Sequence, residues 1–199
     1  MADRDFADLA WLFTSDNRNR GILRQNFNEA ALLWRAVRSS RGPILEIGRR
    51  HGGSTVLLLE AGDGRQVISI DRAPAHHPDC EAVFRTASML HLIVGDSRQP
   101  LDNASFGFAF IDGDHSYDGV KADIRAHWRS LRVIDGITPS AVFHDAVPND
   151  GLVHAGKPNH HDGVRLACAE LVASQAAEIV ASAGSSLWLR KTRELSEAF

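Results

Sequence analysis

The sequence has few cysteines and no apolar run long enough to cross a membrane. Cys80 and Cys168 stand alone without CxxC spacing, which disfavours a disulfide framework and a cysteine zinc site. We expect both to be buried free thiols. The first ten residues, MADRDFADLA, carry acids where a secretory or transit signal has basic residues. These absences predict a cytoplasmic protein that does not use the membrane as a partner.

The chain also lacks a basic block, a low-complexity segment and an internal repeat. Its net charge is −3, and its 44 % hydrophobic and 24 % charged residues are typical of a globular protein. We therefore expect no nucleic-acid partner. A length of 199 residues without a linker indicates a single domain, residues 1–199.

Five short apolar runs, rich in Ile, Val and Phe, predict buried strands. They are residues 43–48, 67–71, 90–96, 106–112 and 140–145. Patterns of helical length lie between them, at 54–61, 79–89 and 116–131. Buried strands joined by crossover helices predict an α/β fold with a doubly wound, mostly parallel sheet.

The two ends of the chain complete this pattern. In the N-terminal segment, residues 1–42, apolar residues recur at helical spacing from Phe27 to Val37. A helix is expected from about residue 163 to 175, and the runs 177–182 and 186–191 then flank a short turn. We interpret these last runs as a C-terminal antiparallel hairpin that brings the sheet to seven strands.

An acid stands at or near the end of each of the five core strands. These acids are Glu46, Asp71, Asp96, Asp112 and Asp145. A single aspartate at a strand end is usually a helix cap or turn former. Ligands of open parallel sheets bind outside the carboxyl ends of the strands, so five acids in register favour one shared site.

The loop after the first strand reads ILEIGRRHGGST and predicts a cofactor site. Gly48, Gly52 and Gly53 would let the backbone approach a ligand, and the helix beginning near Ser54 would direct its amides at it. Asp71, at the end of the second strand, can bind a ribose diol. The GxGxxG loop of nicotinamide enzymes is absent, and an acid at position 46 would repel a pyrophosphate. This combination favours S-adenosylmethionine.

These residues resemble class I S-adenosylmethionine-dependent methyltransferases, in particular the small-molecule O-methyltransferases. The resemblance covers residues 43–191 and rests on LEIGRRHGGST, ISID, VGDS, FIDGDHSYDGV, VFHD and SLWLRK. It implies a Rossmann-like methyltransferase fold whose cofactor-binding core is residues 43–191. It also implies a small-molecule acceptor, and a homodimer is compatible with it.

The resemblance implies a role for each residue at the strand ends. The methionine end of the cofactor would contact the first loop, the ribose the second strand and the adenine the third. The corresponding residues are Glu46, Gly48, Gly52, Gly53 and Ser54, then Asp71, then Asp96 and Ser97.

The stretch FIDGDHSY is similar to the DxDKxNY motif of the caffeoyl-CoA and catechol O-methyltransferases. The resemblance implies that Asp112 lies beneath the sulfonium and binds a divalent metal, Mg²⁺ or Mn²⁺, and that His144 and Asp145 stand where that class completes the metal site. His115 replaces the lysine base of that class, and His144 replaces a carboxylate. A metal-free reaction in which His115 or His144 acts as the general base is therefore the alternative.

Two other functions remain open at this stage. Tyr117 and Lys121 have the YxxxK spacing of short-chain dehydrogenases, with Ser105 upstream. However, they follow the fourth strand, and the first loop is not TGxxxGxG. A non-catalytic cofactor-binding protein is the second alternative. The acceptor should be selected by residues 1–26 and 146–162, where no motif identifies it.

Overall fold

The computed structural model describes residues 5–13, 22–73, 76–147, 161–197 and 199. Five α-helices are present in these ranges: α1 (Phe27–Arg38), α2 (Gly53–Gly62), α3 (Pro78–Phe84), α4 (Tyr117–His127) and α5 (His161–Ala173). The strands are β1 (Ile44–Ile47), β2 (Val67–Asp71), β3 (Leu90–Val94), β4 (Phe108–Ile111), β5 (Ser140–Phe143), β6 (Ala177–Ala183) and β7 (Ser186–Lys191). Short 3-10 helices cover Phe6–Phe13 and Trp128–Ser130.

The seven strands form one sheet in the order β3-β2-β1-β4-β5-β7-β6. Strands β1 to β5 pair in parallel, and β7 lies antiparallel between β5 and β6. The predicted fold, including the terminal hairpin, is confirmed. The chain leaves β1 toward β2 and β3 and then returns to β4 on the other side of β1. The strand order therefore reverses between β1 and β4, where open sheets of this kind bind ligands.

The central strands are buried because both sheet faces are covered by helices. Along β4, Phe108 and Phe110 pack toward α1 and α2, whereas Ala109 and Ile111 pack toward α4 and α5. This alternation follows from the two-residue period of a strand. Strand β3 is an edge strand, so its residues are only partly buried or exposed.

Local signals set the ends of the helices. Asn26 and Glu29 form a capping box at the start of α1, an arrangement that satisfies free backbone amides. Ser116 caps α4 by accepting a 3.1 Å hydrogen bond from the Gly119 amide. Cys80 and Cys168 are free and buried, as predicted. No helix within the described ranges is long and apolar enough to span a membrane.

Candidate active site

A cavity of about 930 Å³ opens at the carboxyl ends of the parallel strands, across the reversal between β1 and β4. Ten of the predicted site residues line it: Gly48, Gly53, Ser54, Asp71, Asp96, Ser97, Asp112, His115, His144 and Asp145. The convergence expected from the strand-end acids is therefore largely present. Glu46 and Gly52 do not line the cavity.

The prediction that Glu46 contacts the cofactor does not agree with its position. Its side chain is fully buried, and its carboxylate accepts hydrogen bonds from Ser54 and Ser69 at 2.5 Å and from Thr55 at 2.6 Å. Burial raises the pKa of this carboxyl, although the three hydroxyl groups partly offset that effect. Glu46 therefore joins β1, β2 and the start of α2 beneath the cavity.

Two glycines shape the loop above Glu46. Gly48 has a φ of +85°, and a Cβ there would lie 2.0 Å from the backbone oxygen of Asp112. Gly52 has a φ of +92° and precedes α2 without a side-chain cap. Gly52 does not line the cavity, and its conformation turns the chain into α2. Gly53 and Ser54, the first residues of α2, line the cavity, and the free amides of a helix N-terminus suit an anion.

Asp71 lines the cavity with an ordered carboxylate. Its Oδ2 accepts hydrogen bonds from the amides of Arg49 and Arg50 at 2.7 and 2.8 Å, and its Oδ1 accepts one from the Ala73 amide at 2.8 Å. Partial burial opposes ionisation, but these amides hold the pKa of Asp71 below its usual value. The carboxylate is therefore ionised and fixed at the position predicted for a ribose contact.

The residues predicted for adenine have protein partners. Asp96 is paired with the Arg98 guanidinium at 2.7 Å, and this hydrogen bonding lowers its pKa to about 2. Ser97 donates a 2.7 Å hydrogen bond to Asp123. Asp123 is only 1 % exposed, and burial raises its pKa to about 6. The sequence reasoning missed Asp123, although an acid beside the apolar stripe of α4 was a visible signal.

Two acids and two imidazoles from the ends of β4 and β5 form the second half of the site. Asp112 Oδ1 lies 3.2 Å from both His115 Nε2 and His144 Nδ1. Asp145 Oδ2 lies 3.4 Å from His115 Nδ1 and 3.5 Å from His144 Nδ1. The four predicted side chains are thus brought together as one ion-paired cluster.

Three residues that sequence reasoning missed come from the segment before α1, the first turn of α1 and the β6–β7 turn. Gln25 Nε2 donates a 2.9 Å hydrogen bond to Asp112 Oδ2. Glu29 lies 3.5 Å from His144 Nε2, and it accepts hydrogen bonds from the Ser185 amide and hydroxyl at 2.7 and 2.8 Å. The capping box around Glu29 was readable from sequence, but its contact with His144 requires the folded chain.

The surrounding carboxylates set the charge of both imidazoles. Burial disfavours protonation of His144, but Asp112, Asp145 and Glu29 raise its pKa well above its usual value. A hydrogen bond to Asp112 raises the pKa of His115, which is more exposed. The pKa of Asp112 is lowered because the two imidazoles outweigh its burial. The carboxylates therefore favour the imidazolium form of His144, whose charge compensates theirs.

This arrangement does not fit the divalent metal predicted for Asp112, His144 and Asp145. Both oxygens of Asp112 already face protein donors. A metal ligand on His144 would have to be a neutral nitrogen, whereas three neighbouring carboxylates favour the protonated ring. In the part of the chain that is described, no group of three or more His, Cys, Asp or Glu side chains is arranged to hold a metal ion.

Tyr117 and Lys121, the residues of the dehydrogenase alternative, lie on α4 and do not line the cavity. The Tyr117 hydroxyl donates a 2.5 Å hydrogen bond to Glu170 of α5, and Lys121 Nζ lies 3.0 Å from the same carboxylate. The pair therefore joins two helices.

Comparison with known families identifies the class of this fold and site. Residues 45–146 match the model of a family described as a methyltransferase domain, which is about half of the chain. The chain therefore belongs to this methyltransferase family, and the dehydrogenase interpretation is wrong. No curated protein matches the sequence.

Solved structures share the fold at low sequence identity. The cofactor-bound protein Rv0187 from MTB is 20 % identical with a TM-score of 0.71, over 98 % of this chain and 93 % of that one. An O-methyltransferase from Bacillus cereus, in complex with SAH, is 18 % identical with a TM-score of 0.64, over 96 % and 93 %. The O-methyltransferase TomG from Streptomyces achromogenes, in complex with SAM, is 17 % identical with a TM-score of 0.65, over 96 % and 92 %.

Proposed function

We propose that this methyltransferase uses S-adenosylmethionine to methylate a hydroxyl group of a small molecule. One observation carries the proposal: a single cavity at the strand reversal joins an ordered acid suited to a ribose, Asp71, to an ion-paired cluster suited to proton transfer. The O-methyltransferases of similar fold that hold SAH or SAM support it.

The β1–β2–β3 half of the cavity suits the cofactor. Asp71 keeps lone pairs for the ribose diol after accepting its three backbone amides. The uncapped start of α2 would bind the carboxylate of the methionine end.

The β4–β5 half suits the acceptor, because its imidazoles can accept and hold a proton. The bound cofactor supplies a methyl group on a sulfonium, which passes to the acceptor oxygen as the carbon–sulfur bond breaks and S-adenosylhomocysteine is left. His115 lies at the cavity with one ring nitrogen 3.2 Å from Asp112 and the other 3.4 Å from Asp145. In its neutral form it accepts the acceptor's proton once one of these contacts gives way to the acceptor hydroxyl. His144, only 11 % exposed and paired with three carboxylates, stays protonated and balances their charge.

The Mg²⁺ or Mn²⁺ ion implied by the resemblance is not part of this proposal, because the ion-paired geometry does not fit it. A non-catalytic cofactor-binding protein would bind the same ligand without turnover.

Calorimetry with S-adenosylhomocysteine and with NAD tests the cofactor. We expect binding of the first and not of the second. Preferential binding of NAD would contradict the proposal.

A further inference from the structure

We propose that His76 and Arg49 are positioning residues for the cofactor: neutral His76 holds the Arg49 guanidinium, Arg49 holds Asp71 in place for the ribose, and acid pH therefore weakens cofactor binding. This inference rests on the proposed use of S-adenosylmethionine, and it names the residues that make the affinity for this cofactor depend on pH. The sequence reasoning assigned neither His76 nor Arg49 to the site.

The Arg49 side chain is buried between the carboxyl ends of β2 and β3, and it is only 2 % exposed. Its Nη1 donates a 2.8 Å hydrogen bond to the Ser69 carbonyl of β2, and its Nη2 lies 3.4 Å from the Ile93 carbonyl of β3. A buried guanidinium is costly unless its N–H groups are paired. These carbonyls therefore fix the position of the side chain.

Arg49 is joined to Asp71 through both its backbone and its side chain. Its amide donates a 2.7 Å hydrogen bond to Asp71 Oδ2. Its Nη2 lies 3.5 Å from the carbonyl of Ala73, whose amide donates a 2.8 Å hydrogen bond to Asp71 Oδ1. A displacement of Arg49 would therefore disturb donors to both oxygens of the carboxylate that we assign to the ribose.

His76 provides the acceptor for the remaining side of the guanidinium. Arg49 Nε donates a 3.0 Å hydrogen bond to His76 Nε2. Because a guanidinium only donates hydrogen bonds, this contact requires a neutral His76 with its proton on Nδ1. Protonation of His76 would instead bring two N–H groups and two positive charges together. His76 does not line the cavity, so it acts on the cofactor through Arg49.

The groups around His76 place its protonation on the acid side of neutrality. Arg49 faces it from the β1–α2 loop, Asp71 from the end of β2 and Glu81 from α3, and the Phe84 ring of α3 packs 5.1 Å away. Partial burial and the Arg49 charge lower the pKa of His76 below its usual 6.5, whereas Glu81 and Asp71 oppose them. Affinity that requires the neutral ring is therefore complete at pH 8 and falls as the pH drops through this pKa.

Calorimetry of S-adenosylhomocysteine binding from pH 8 to pH 5 tests the proposal. His76→Gln keeps a side-chain oxygen that can accept from Arg49 but does not titrate. We expect the affinity of the unmodified protein to fall about 3- to 10-fold more over this range than that of His76→Gln, the usual effect of one lost hydrogen bond. Asp123, with a pKa of about 6, titrates in both proteins, so the difference between the two profiles isolates His76.

The matched control is His91→Gln, the same change at an exposed imidazole of β3. It should reproduce the pH profile of the unmodified protein. A flat profile in this control as well would show that the loss of any histidine has the same effect, and would contradict the role of His76.

Arg49→Lys tests the link from His76 to Asp71. Lysine keeps the positive charge but not the planar fork that reaches the imidazole and both strands. We expect the affinity for S-adenosylhomocysteine at pH 8 to fall about 3- to 30-fold, as for one or two lost hydrogen bonds, and the further fall toward pH 5 to match that of His76→Gln. The melting temperature at pH 8 shows whether this variant is folded; if it is not, the His76→Gln profile decides.

The same linkage should be visible on the His76 ring. If the cofactor prefers the neutral imidazole, the bound cofactor must in turn disfavour its protonation. NMR titration should therefore show that S-adenosylhomocysteine lowers the pH midpoint of the imidazole signal that disappears in His76→Gln.

The outcomes separate this inference from the proposed function. Absence of S-adenosylhomocysteine binding to the unmodified protein at pH 8 would overturn both. If that ligand binds, three results would each overturn the positioning role while the methyltransferase proposal stands: an equal acid loss of affinity in His76→Gln, an unchanged midpoint of His76, or unchanged affinity in folded Arg49→Lys.

Discussion

Asp123→Asn should make the protein more stable at neutral and alkaline pH. Asp123 is buried at the inner side of α4, where its carboxylate accepts a 2.7 Å hydrogen bond from Ser97. Burial, with repulsion from Asp114 and Asp96, raises its pKa from 3.8 to about 6. A neutral amide of the same shape avoids the cost of ionising a buried carboxyl and still offers Ser97 an oxygen.

The magnitude follows from linkage between the pKa and the free energy of unfolding. Well below pH 3.8 the Asp123 carboxyl is protonated in both the folded and the unfolded chain, and it does not change the free energy of unfolding. As the pH rises from there to about 6, the unfolded chain loses the proton and the folded chain keeps it, so the folded state loses stability. Above that range the loss is constant at about 3 kcal/mol. A weaker hydrogen bond from Ser97 to an amide offsets roughly 1 kcal/mol of the gain.

Urea unfolding of both proteins at pH 5 and pH 8 measures this effect. The gain from Asp123→Asn should be about 1 to 2 kcal/mol larger at pH 8 than at pH 5, and this difference does not depend on the hydrogen-bond correction. Asp102→Asn removes an exposed carboxylate and serves as the control, with little change at either pH. A gain that is equal at both pH values, or a loss at pH 8, would refute the reasoning.

Three further predictions concern the cavity. Asp71→Ala should weaken S-adenosylhomocysteine binding about 10- to 100-fold by calorimetry. It should also lower the melting temperature, because three backbone amides lose their acceptor. Unchanged affinity would mean that Asp71 only fixes the loop. Glu29→Gln should lower the methyl-transfer rate about tenfold or more, because His144 loses one of the carboxylates that hold it. The affinity for the cofactor should be kept. A parallel loss of rate and cofactor affinity would indicate general misfolding. Treatment with a chelator should leave methyl transfer intact. If the chelator instead abolishes methyl transfer and added Mg²⁺ or Mn²⁺ restores it, the cluster rearranges around a metal.

The strand arrangement was predictable because apolar runs and turn residues are local signals. The same signals could not show that β3 is an edge strand, since edge position depends on the order of strands in the sheet. The run LHLIV has the composition of a buried strand, yet it is partly exposed.

The strand-end acids were predictable as a group but not one by one. Asp112 directly follows β4, and Asp145 is the second residue after β5, so their side chains reach the cavity beyond the sheet. Glu46 precedes the last residue of β1, and its side chain therefore points to a face of the sheet beneath α2. A shift of one or two residues along a strand decides between a ligand contact and a buried support.

The residues that complete the acceptor half could not be predicted, because their contacts join distant parts of the chain. Gln25 and Asp112 are 87 positions apart, and Glu29 and Ser185 are 156 apart. No periodicity or motif links such pairs. Only the packing of α1 against the sheet brings them together.

The same contacts explain why two histidines change the chemistry expected from the resemblance. A site with a carboxylate in place of His144 would carry one more negative charge and one less positive charge, and closely spaced carboxylates favour a bound cation. With His144 between Asp112, Asp145 and Glu29, a protonated imidazole provides that positive charge from within the chain. Because Glu29 contacts this imidazole and is itself held by the backbone amide of Ser185, the acids can stay ionised beside the cavity.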